Sequence, residues 1–481
     1  MKEVIKENEI TRFENNGSDF INEEKIESLL QKNKSPEKKK IREIIQKSLG
    51  IERLEPDETA ALLNVNDDNL WEEIFQAAGE VKRRVYDNRI VTFAPLYCSN
   101  FCVNSCLYCG FRKENTNEKR RRLTLEEVKK ETEALVSLGH KRLITVYGEH
   151  PLSDIDYIVD TIRTIYATKL GNGEIRRVNI NAAPFSIEKL KLLKEAGIGT
   201  YQVFQETYHH QTYKKVHPAG IKSNYKWRLY VLHRAQEAGI DDVAIGVLFG
   251  LYDWKFEVMG LLCHTMDLEK RFGVGPHTIS FPRLKTAANA PFIQETKYKV
   301  SDRDFKKLVA VIRLSVPYTG MIITARETPE ILKEVIPVGC TQTDASTRIG
   351  IGAYSESYNE QEAERQQFLL GNTKSLDEVI RGFAETGYIT SFCTAGYRCG
   401  RTGKCIMQLL KGGKERWFCK LNAVLTFREW LNDFASQKTK EAGEVIIKKE
   451  IKEIEEKIPQ FFPKFMEYYR RIENGEKDLY F

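Results

Sequence analysis

The run IVTFAPLYCSNFCVNSCLYCGF, residues 90–111, joins two signals that together decide the fold. Its first seven residues, rich in Val, Ile, Thr and Phe, read as a buried strand. The strand leads directly into Cys98, Cys102, Cys106 and Cys109, four of the ten cysteines in the chain. Cys102, Cys106 and Cys109 are spaced C-x3-C-x2-C, which lets one tight loop turn three thiolates toward a common region. Three thiolates suit an iron-sulfur cubane, because a cubane has four ligand positions and the loop leaves one iron open to bind a small molecule. A structural zinc site would need a fourth Cys or His at a matched spacing, and none lies nearby. Cys98, at the strand end, reads as a small hydrophobe.

Further apolar runs follow this one, each succeeded by an amphipathic helix: RLITVYG (142–148), RRVNINAAP (176–184), TYQVFQE (200–206), DVAIGVLFG (242–250), HTISFPR (277–283), GMIITAR (320–326) and TQTDAS (341–346). The helices carry start and stop signals. In TLEEVKKETEALVSLG (124–139), Thr124 and Glu127 form a capping box, Val128, Glu131, Leu135 and Leu138 share a stripe, and Gly139 ends it. Strand-helix alternation predicts a parallel sheet. Eight such units predict a closed (β/α)8 TIM barrel over residues 89–370, with reactive groups on the loops at the strand C-terminal ends. Residues 1–88 read as a helical N-terminal region. Residues 371–481 read as a mostly helical, cysteine-containing C-terminal domain that includes SFCTAGYRCGRTGKCIMQLLKGGKERWFC (391–419). Ile447, Ile451, Ile454 and Ile458 recur there at helical spacing, which marks core packing.

Composition narrows the class. Of 481 residues, 41% are hydrophobic and 30% charged, and no apolar run is long enough for a membrane span, so a membrane protein is not expected. The charged start, MKEVIKENEI, lacks the apolar stretch of a secretory signal, and a cytoplasmic protein is expected. The net charge of +6 comes from 74 basic and 68 acidic residues, a mixed surface. The basic runs SPEKKKIR and EKRRRLT fit solvated helix faces, and no nucleic-acid partner is implied. In a reducing compartment, ten cysteines argue for metal or redox chemistry rather than disulfides.

The cysteine triplet, with Tyr108 just before its last member, resembles the signature of radical S-adenosylmethionine enzymes. FAPLYCSNFCVNSCLYCGFR (93–112) resembles more specifically the HydG family, tyrosine lyases that act as FeFe-hydrogenase maturases. GHKRL, DYIVD, GIGTY, FQETYH, GVGPHTIS, SVPYTGMI, LTFREWL and the tail RIENGEKDLYF extend the likeness from about residue 18 to the C-terminus. The resemblance implies a 4Fe-4S cluster on Cys102, Cys106 and Cys109, with S-adenosyl-L-methionine on its open iron and a one-electron donor of flavodoxin or ferredoxin type. It counts Tyr108 among the cofactor-binding residues and sets Gly148 and Glu149 beside the methionyl amino group. It places Glu206 against the cofactor, and Arg228 on the methionyl carboxylate as a planar bidentate donor. Arg326 would clamp the carboxylate of the amino acid substrate. Tyrosine would give p-cresol and dehydroglycine. A second, C-terminal cluster on Cys393 and Cys419, with a labile iron on His277, would turn dehydroglycine into CO and cyanide for a hydrogenase-maturation client.

The chain also departs from the family pattern. The C-terminal motif of the family begins CTAC, whereas here it reads CTAG, and Gly396 has no ligand atom. Cys399 and Cys405 lie close in sequence and are candidates for the third thiolate. Val146 and Tyr147 replace an acid and a small residue, and Asp344 is added at the end of the eighth strand, so a reshaped substrate pocket is expected. Three readings stand: a HydG-type maturase, a ThiH-like lyase that stops at dehydroglycine, and a non-catalytic iron-sulfur scaffold.

Overall fold

A computed structural model describes residues 4–481 apart from 288–289, 291, 357–365 and 413–414. The first residues of the charged start and part of the cysteine-rich segment therefore lie outside the described residues. The apolar runs form eight parallel strands: β1 (Arg89–Ser99), β2 (Arg142–Tyr147), β3 (Arg177–Asn181), β4 (Tyr201–Gln202), β5 (Val243–Gly246), β6 (Thr278–Ser280), β7 (Gly320–Ile323) and β8 (Gln342–Asp344). Each pairs with the next, and β8 returns to β1 through Val91↔Gln342, Thr92↔Thr343 and Phe93↔Asp344. The ring is closed, a radical S-adenosylmethionine type of (β/α)8 TIM barrel. Phe93, Ile144 and Ile322, from β1, β2 and β7, pack on one another as a separate apolar group.

The sequence reading did not anticipate a further strand, β9 (Ile389–Ser391), which pairs in parallel with the first residues of β1. It ties the C-terminal segment to the end of the barrel opposite the cysteine loop. The C-terminal helices bury a second core in which Trp430, Ile447, Ile454, Ile458 and Phe465 take part, with Ile451 packed against it. A buried ionic knot joins this layer to the barrel: Glu429 meets Lys141 and Arg176, each at 2.7 Å.

Local signals mostly act as their chemistry requires. The Thr124–Glu127 capping box starts the helix Leu125–Ser137. Glu131 lies on its apolar stripe and is 1% exposed because its carboxylate accepts the backbone N–H groups of Tyr354 and Ser355, at 3.1 and 2.6 Å. Among the described residues no helix is long and apolar enough to cross a membrane.

Candidate active site

At its C-terminal end β1 delivers the cysteine loop, which neighbouring loops hold by backbone hydrogen bonds. Gly148 N–H donates to Ser99 O (2.8 Å), Val103 N–H to Glu149 O (2.9 Å), Leu107 N–H to Val216 O (3.0 Å) and Ser105 N–H to Ala219 O (3.2 Å). Arg120 closes the loop on itself. Its guanidinium donates to the carbonyls of Asn100 and Arg112, each at 2.6 Å, of Phe111 at 2.9 Å and of Asn115 at 3.3 Å.

Cys102, Cys106 and Cys109 line a cavity of about 210 Å³ at this mouth of the barrel, together with Tyr108, Gly148, Glu149, Glu206, Arg228 and Arg326. Every residue assigned by resemblance to the first site is therefore in one chamber. Cys98 is fully buried in the core, as expected of a small hydrophobe. Burial pushes the Cys102 thiol up to about 11, and raises those of Cys106 and Cys109 as well. Such thiols ionise when a cation replaces the proton. Among the described residues no three Cys, His, Asp or Glu side chains close on one ion-sized point. The trio is thus not the tetrahedral site that zinc requires, whereas in a cubane each thiolate takes its own iron.

The polar groups around the loop fit a zwitterionic cofactor. Glu149 is buried, its Oε2 accepts Asn104 Nδ2–H at 2.6 Å, and its Oε1 has no partner among the described residues. Burial raises its carboxyl group above the ordinary range. A buried acceptor short of a donor is what an ammonium group satisfies. Glu206 sits at φ +73°, the left-handed region that a non-glycine residue adopts at a cost. Burial would raise its carboxyl group, but Lys222 at 2.8 Å and Arg228 at 3.6 Å hold it below the usual carboxylate range. Arg228 Nε–H also donates to Phe204 O at 2.6 Å, so one edge of the guanidinium is anchored. The Tyr108 hydroxyl is paired with His217 Nε2 at 2.7 Å, and burial keeps that imidazole neutral. Tyr108 thus anchors the loop beside its last cysteine.

Asn104, Lys222, His217 and Gln367 were not found from the sequence. Asn104 bridges Glu149 and Lys222 N–H, and Gln367 donates to Cys109 Sγ at 3.5 Å. Asn104 had a local signal, because it lies between two of the cysteines. The others reach the loop only through the fold.

Arg326 and Asp344 line the same chamber. The Arg326 guanidinium lies 3.2 Å from the centre of the Phe368 ring and is in no ion pair among the described residues. Asp344 accepts Ala325 N–H and the Thr347 hydroxyl, both at 2.7 Å, and burial raises its carboxyl group. Tyr147 lines the chamber, yet its side chain turns outward from the barrel. Its hydroxyl pairs with Thr161 at 2.6 Å and its ring meets Tyr157, both on the helix Ile155–Ala167 outside the barrel. Strand alternation explains this, since adjacent side chains face opposite sides.

A second, smaller cavity, about 40 Å³, lies at the opposite mouth. His277, Cys393, Cys419 and Gly396 line it, so the C-terminal segment does bring two thiols and the histidine together. The third thiol does not join them. Cys399 is exposed with its Sγ 3.6 Å from Phe481 O, Cys405 is also exposed, and neither lines the cavity. His277 Nε2 instead faces the Tyr397 hydroxyl at 3.3 Å, and the guanidinium of Arg177 stacks on the Tyr397 ring. The donor set at this mouth does not match a three-thiolate cluster.

A closed barrel whose first strand hands three thiols and a cluster of zwitterion-binding groups to one chamber defines a radical S-adenosylmethionine enzyme. Accordingly, residues 96–260 match the Radical SAM superfamily and residues 280–389 the Biotin and Thiamin Synthesis associated domain. A crystal structure of HydG, described as a maturase of the FeFe-hydrogenase, is 50% identical with a TM-score of 0.92, covering 96% of this chain and 100% of that one. HydG from Carboxydothermus hydrogenoformans is 37% identical with a TM-score of 0.79, covering 97% and 98%. The 2-iminoacetate synthase of Salmonella typhimurium is 29% identical over 320 residues, 66% of this chain and 82% of that protein. The chain belongs to the HydG family. Its cofactors are a 4Fe-4S cluster and S-adenosyl-L-methionine.

Proposed function

We propose that the chain is a carbon-carbon lyase that cleaves the Cα–Cβ bond of tyrosine or a similar free amino acid. The observation that carries this is one chamber holding the three cluster thiols together with Arg326 and Asp344, a cation and an anion that are not paired with each other. An α-amino acid is a zwitterion and complements both. When bound, the cluster and S-adenosylmethionine supply a 5′-deoxyadenosyl radical able to take a hydrogen atom. Cys102, Cys106 and Cys109 hold the cluster, Glu149 takes the methionyl ammonium, and Arg228 its carboxylate. Arg326 fixes the substrate carboxylate bidentately. Asp344 faces the substrate amino group and, with its raised affinity for protons, accepts one from the ammonium, leaving a neutral amine. Phe93, Ile144, Ile322 and Phe368 keep the chamber apolar around the side chain and exclude water. The products are a cresol-type fragment and dehydroglycine, which is 2-iminoacetate, the compound that names the Salmonella relative.

The two-thiol cavity favours release of dehydroglycine over its conversion to CO and cyanide, because Gly396 supplies no ligand and Cys399 and Cys405 face away. In a hydrogenase-maturation setting, the client would then receive its diatomic ligands elsewhere. Anaerobic turnover with tyrosine tests the lyase reading. Equimolar p-cresol and glyoxylate, the hydrolysis product of dehydroglycine, are expected, with KM raised on the order of 100-fold in Arg326→Lys. Cofactor cleavage that never yields an amino acid fragment, across tyrosine, phenylalanine and tryptophan, would overturn the reading. Bound iron and sulfide with no cofactor cleavage would point instead to a scaffold.

A further inference from the structure

The cysteine loop forms one wall of the cluster chamber, so an electron reaches the chamber most directly through that loop, and the segments bonded to it bear several lysines. Lys113, Lys119, Lys214 and Lys215 are exposed. Each belongs to a segment bonded to the loop or its entry. Lys113 N–H donates to Asn104 O at 2.8 Å, and Lys119 O accepts Asn100 Nδ2–H at 2.9 Å. Lys214 and Lys215 lie on the helix His210–Val216, whose last carbonyl accepts Leu107 N–H. Lys215 Nζ also stands 5.5 Å from the centre of the Phe292 ring, which packs in the same apolar group as Cys106 and Tyr108. None of the four lysines is in an ion pair among the described residues. The neighbouring acids are mostly engaged: Glu114 with Arg112 and Ser105, and Glu118 buried against Asn100. Glu295, and Glu27 beside His209, are exposed carboxylates among the described residues. Among the described residues, the segments bonded to the loop therefore carry more positive than negative charge.

We infer that this lysine-bearing face is the docking surface of an acidic one-electron carrier protein. Charge complementarity selects the occupant, since a cationic patch steers a protein of negative surface toward the loop and orients it there. In the encounter one electron leaves the carrier, which is oxidised by one, and enters the cofactor held by the cysteine loop, which is reduced by one. No bond between the proteins forms or breaks. The inference rests on the cysteine loop being the redox site, and its test separates the two.

The experiment uses the full-length, anaerobically reconstituted protein with purified flavodoxin as the probe, and compares wild type with a variant carrying Lys113→Glu, Lys119→Glu, Lys214→Glu and Lys215→Glu. Flavodoxin binding at low salt should weaken at least about tenfold in the variant, and the salt dependence seen for wild type should flatten. Flavodoxin-driven 5′-deoxyadenosine formation should fall in parallel, while formation driven by dithionite-reduced methyl viologen stays within about twofold. The Lys→Gln version of the same four changes should give a smaller loss of the same kind, and it replaces the charge reversal if that protein is poorly folded. Unchanged flavodoxin binding would overturn the inference, as would equally strong binding of heparin lost in the same way, which would mark a non-selective polyanion surface. A wild type that fails to cleave the cofactor even with reduced viologen would sink the redox reading itself, and the docking surface with it.

Discussion

Gly148 offers the sharpest steric test of the cofactor chamber. A Cβ built there stands 2.2 Å from Phe101 O, 3.0 Å from Phe101 C and 3.4 Å from Asn100 C. All three atoms are backbone, so no side-chain rotation can relieve the contact. Restoring an ordinary separation requires a shift of about 1 Å between β2's end and the entry to the cysteine loop. The shift cannot be shared out freely, because the Gly148–Ser99 and Val103–Glu149 hydrogen bonds hold the two segments together. Strain of this kind costs about 1–3 kcal/mol, and a 1 Å misplacement near reacting groups costs on the order of 100-fold in rate. Gly148→Ala should therefore lower 5′-deoxyadenosine formation on the order of 100-fold and weaken S-adenosylmethionine binding, with a modest fall in Tm. Gly382→Ala is the matched control. A Cβ there meets nothing within 4 Å, and the residue lies inside the helix Leu376–Glu385, so activity should be unchanged and Tm should hold or rise. The assay is anaerobic turnover quantified by liquid chromatography, with cofactor affinity by equilibrium dialysis. A Gly148→Ala protein with wild-type rate and affinity would refute the reasoning.

Gly396→Cys restores a thiol at the lower mouth, where the nearest atoms to a new Cβ belong to Arg401 at 3.9–4.0 Å, so the side chain fits. Iron bound per chain should rise from roughly four toward roughly eight, with a second signal in electron paramagnetic resonance; an unchanged count would show that more than one ligand is missing. Arg120→Ala removes the clamp on the carbonyls around the cysteine loop. It should bleach the visible cluster absorbance several-fold faster under chelator, and equal bleaching would assign the clamp no role. Glu257 accepts Tyr208 N–H and the Thr207 hydroxyl, and burial pushes its carboxyl group up to about 8. The folded state then holds a proton that the unfolded chain releases near pH 4.3, so stability is full below that pH and falls as pH rises toward about 8, by at most ~1.4 kcal/mol per pH unit. Glu257→Gln should flatten that decline in Tm between about pH 5 and 8, and parallel curves for the two proteins would count against a protonated Glu257.

The barrel was legible because each strand is a short apolar run with its own helix behind it, and periodicity is a local property. β9 was not, because Ile389–Ser391 is only three residues long and is fixed by pairing with Arg89–Val91, some 300 positions earlier. The cysteine triplet was legible for the same reason that it works, since one loop carries all three thiols. Lys222, His217 and Gln367 come from other loops, and only the closed ring brings them to Glu206, Tyr108 and Cys109. Resemblance placed Glu149, Arg228 and Arg326 in a common chamber, and the fold brings them together there. The family pattern carried no side-chain direction for Tyr147, whose ring turns out toward Thr161 and Tyr157, and spacing misled at Cys399 and Cys405, whose closeness in sequence to Cys393 does not turn them toward it. A thiol counts as a ligand by where its helix points, and that depends on packing against the C-terminal tail at Phe481.

Mass spectrometric quantification of 5′-deoxyadenosine from reduced, reconstituted protein, for wild type and Cys106→Ala, goes straight to the heart of the account. The three-thiol loop requires wild type to release the nucleoside, faster with tyrosine present, and the variant to release none above background. A wild type that leaves S-adenosylmethionine intact, or a Cys106→Ala protein that still cleaves it, would contradict the account at its root.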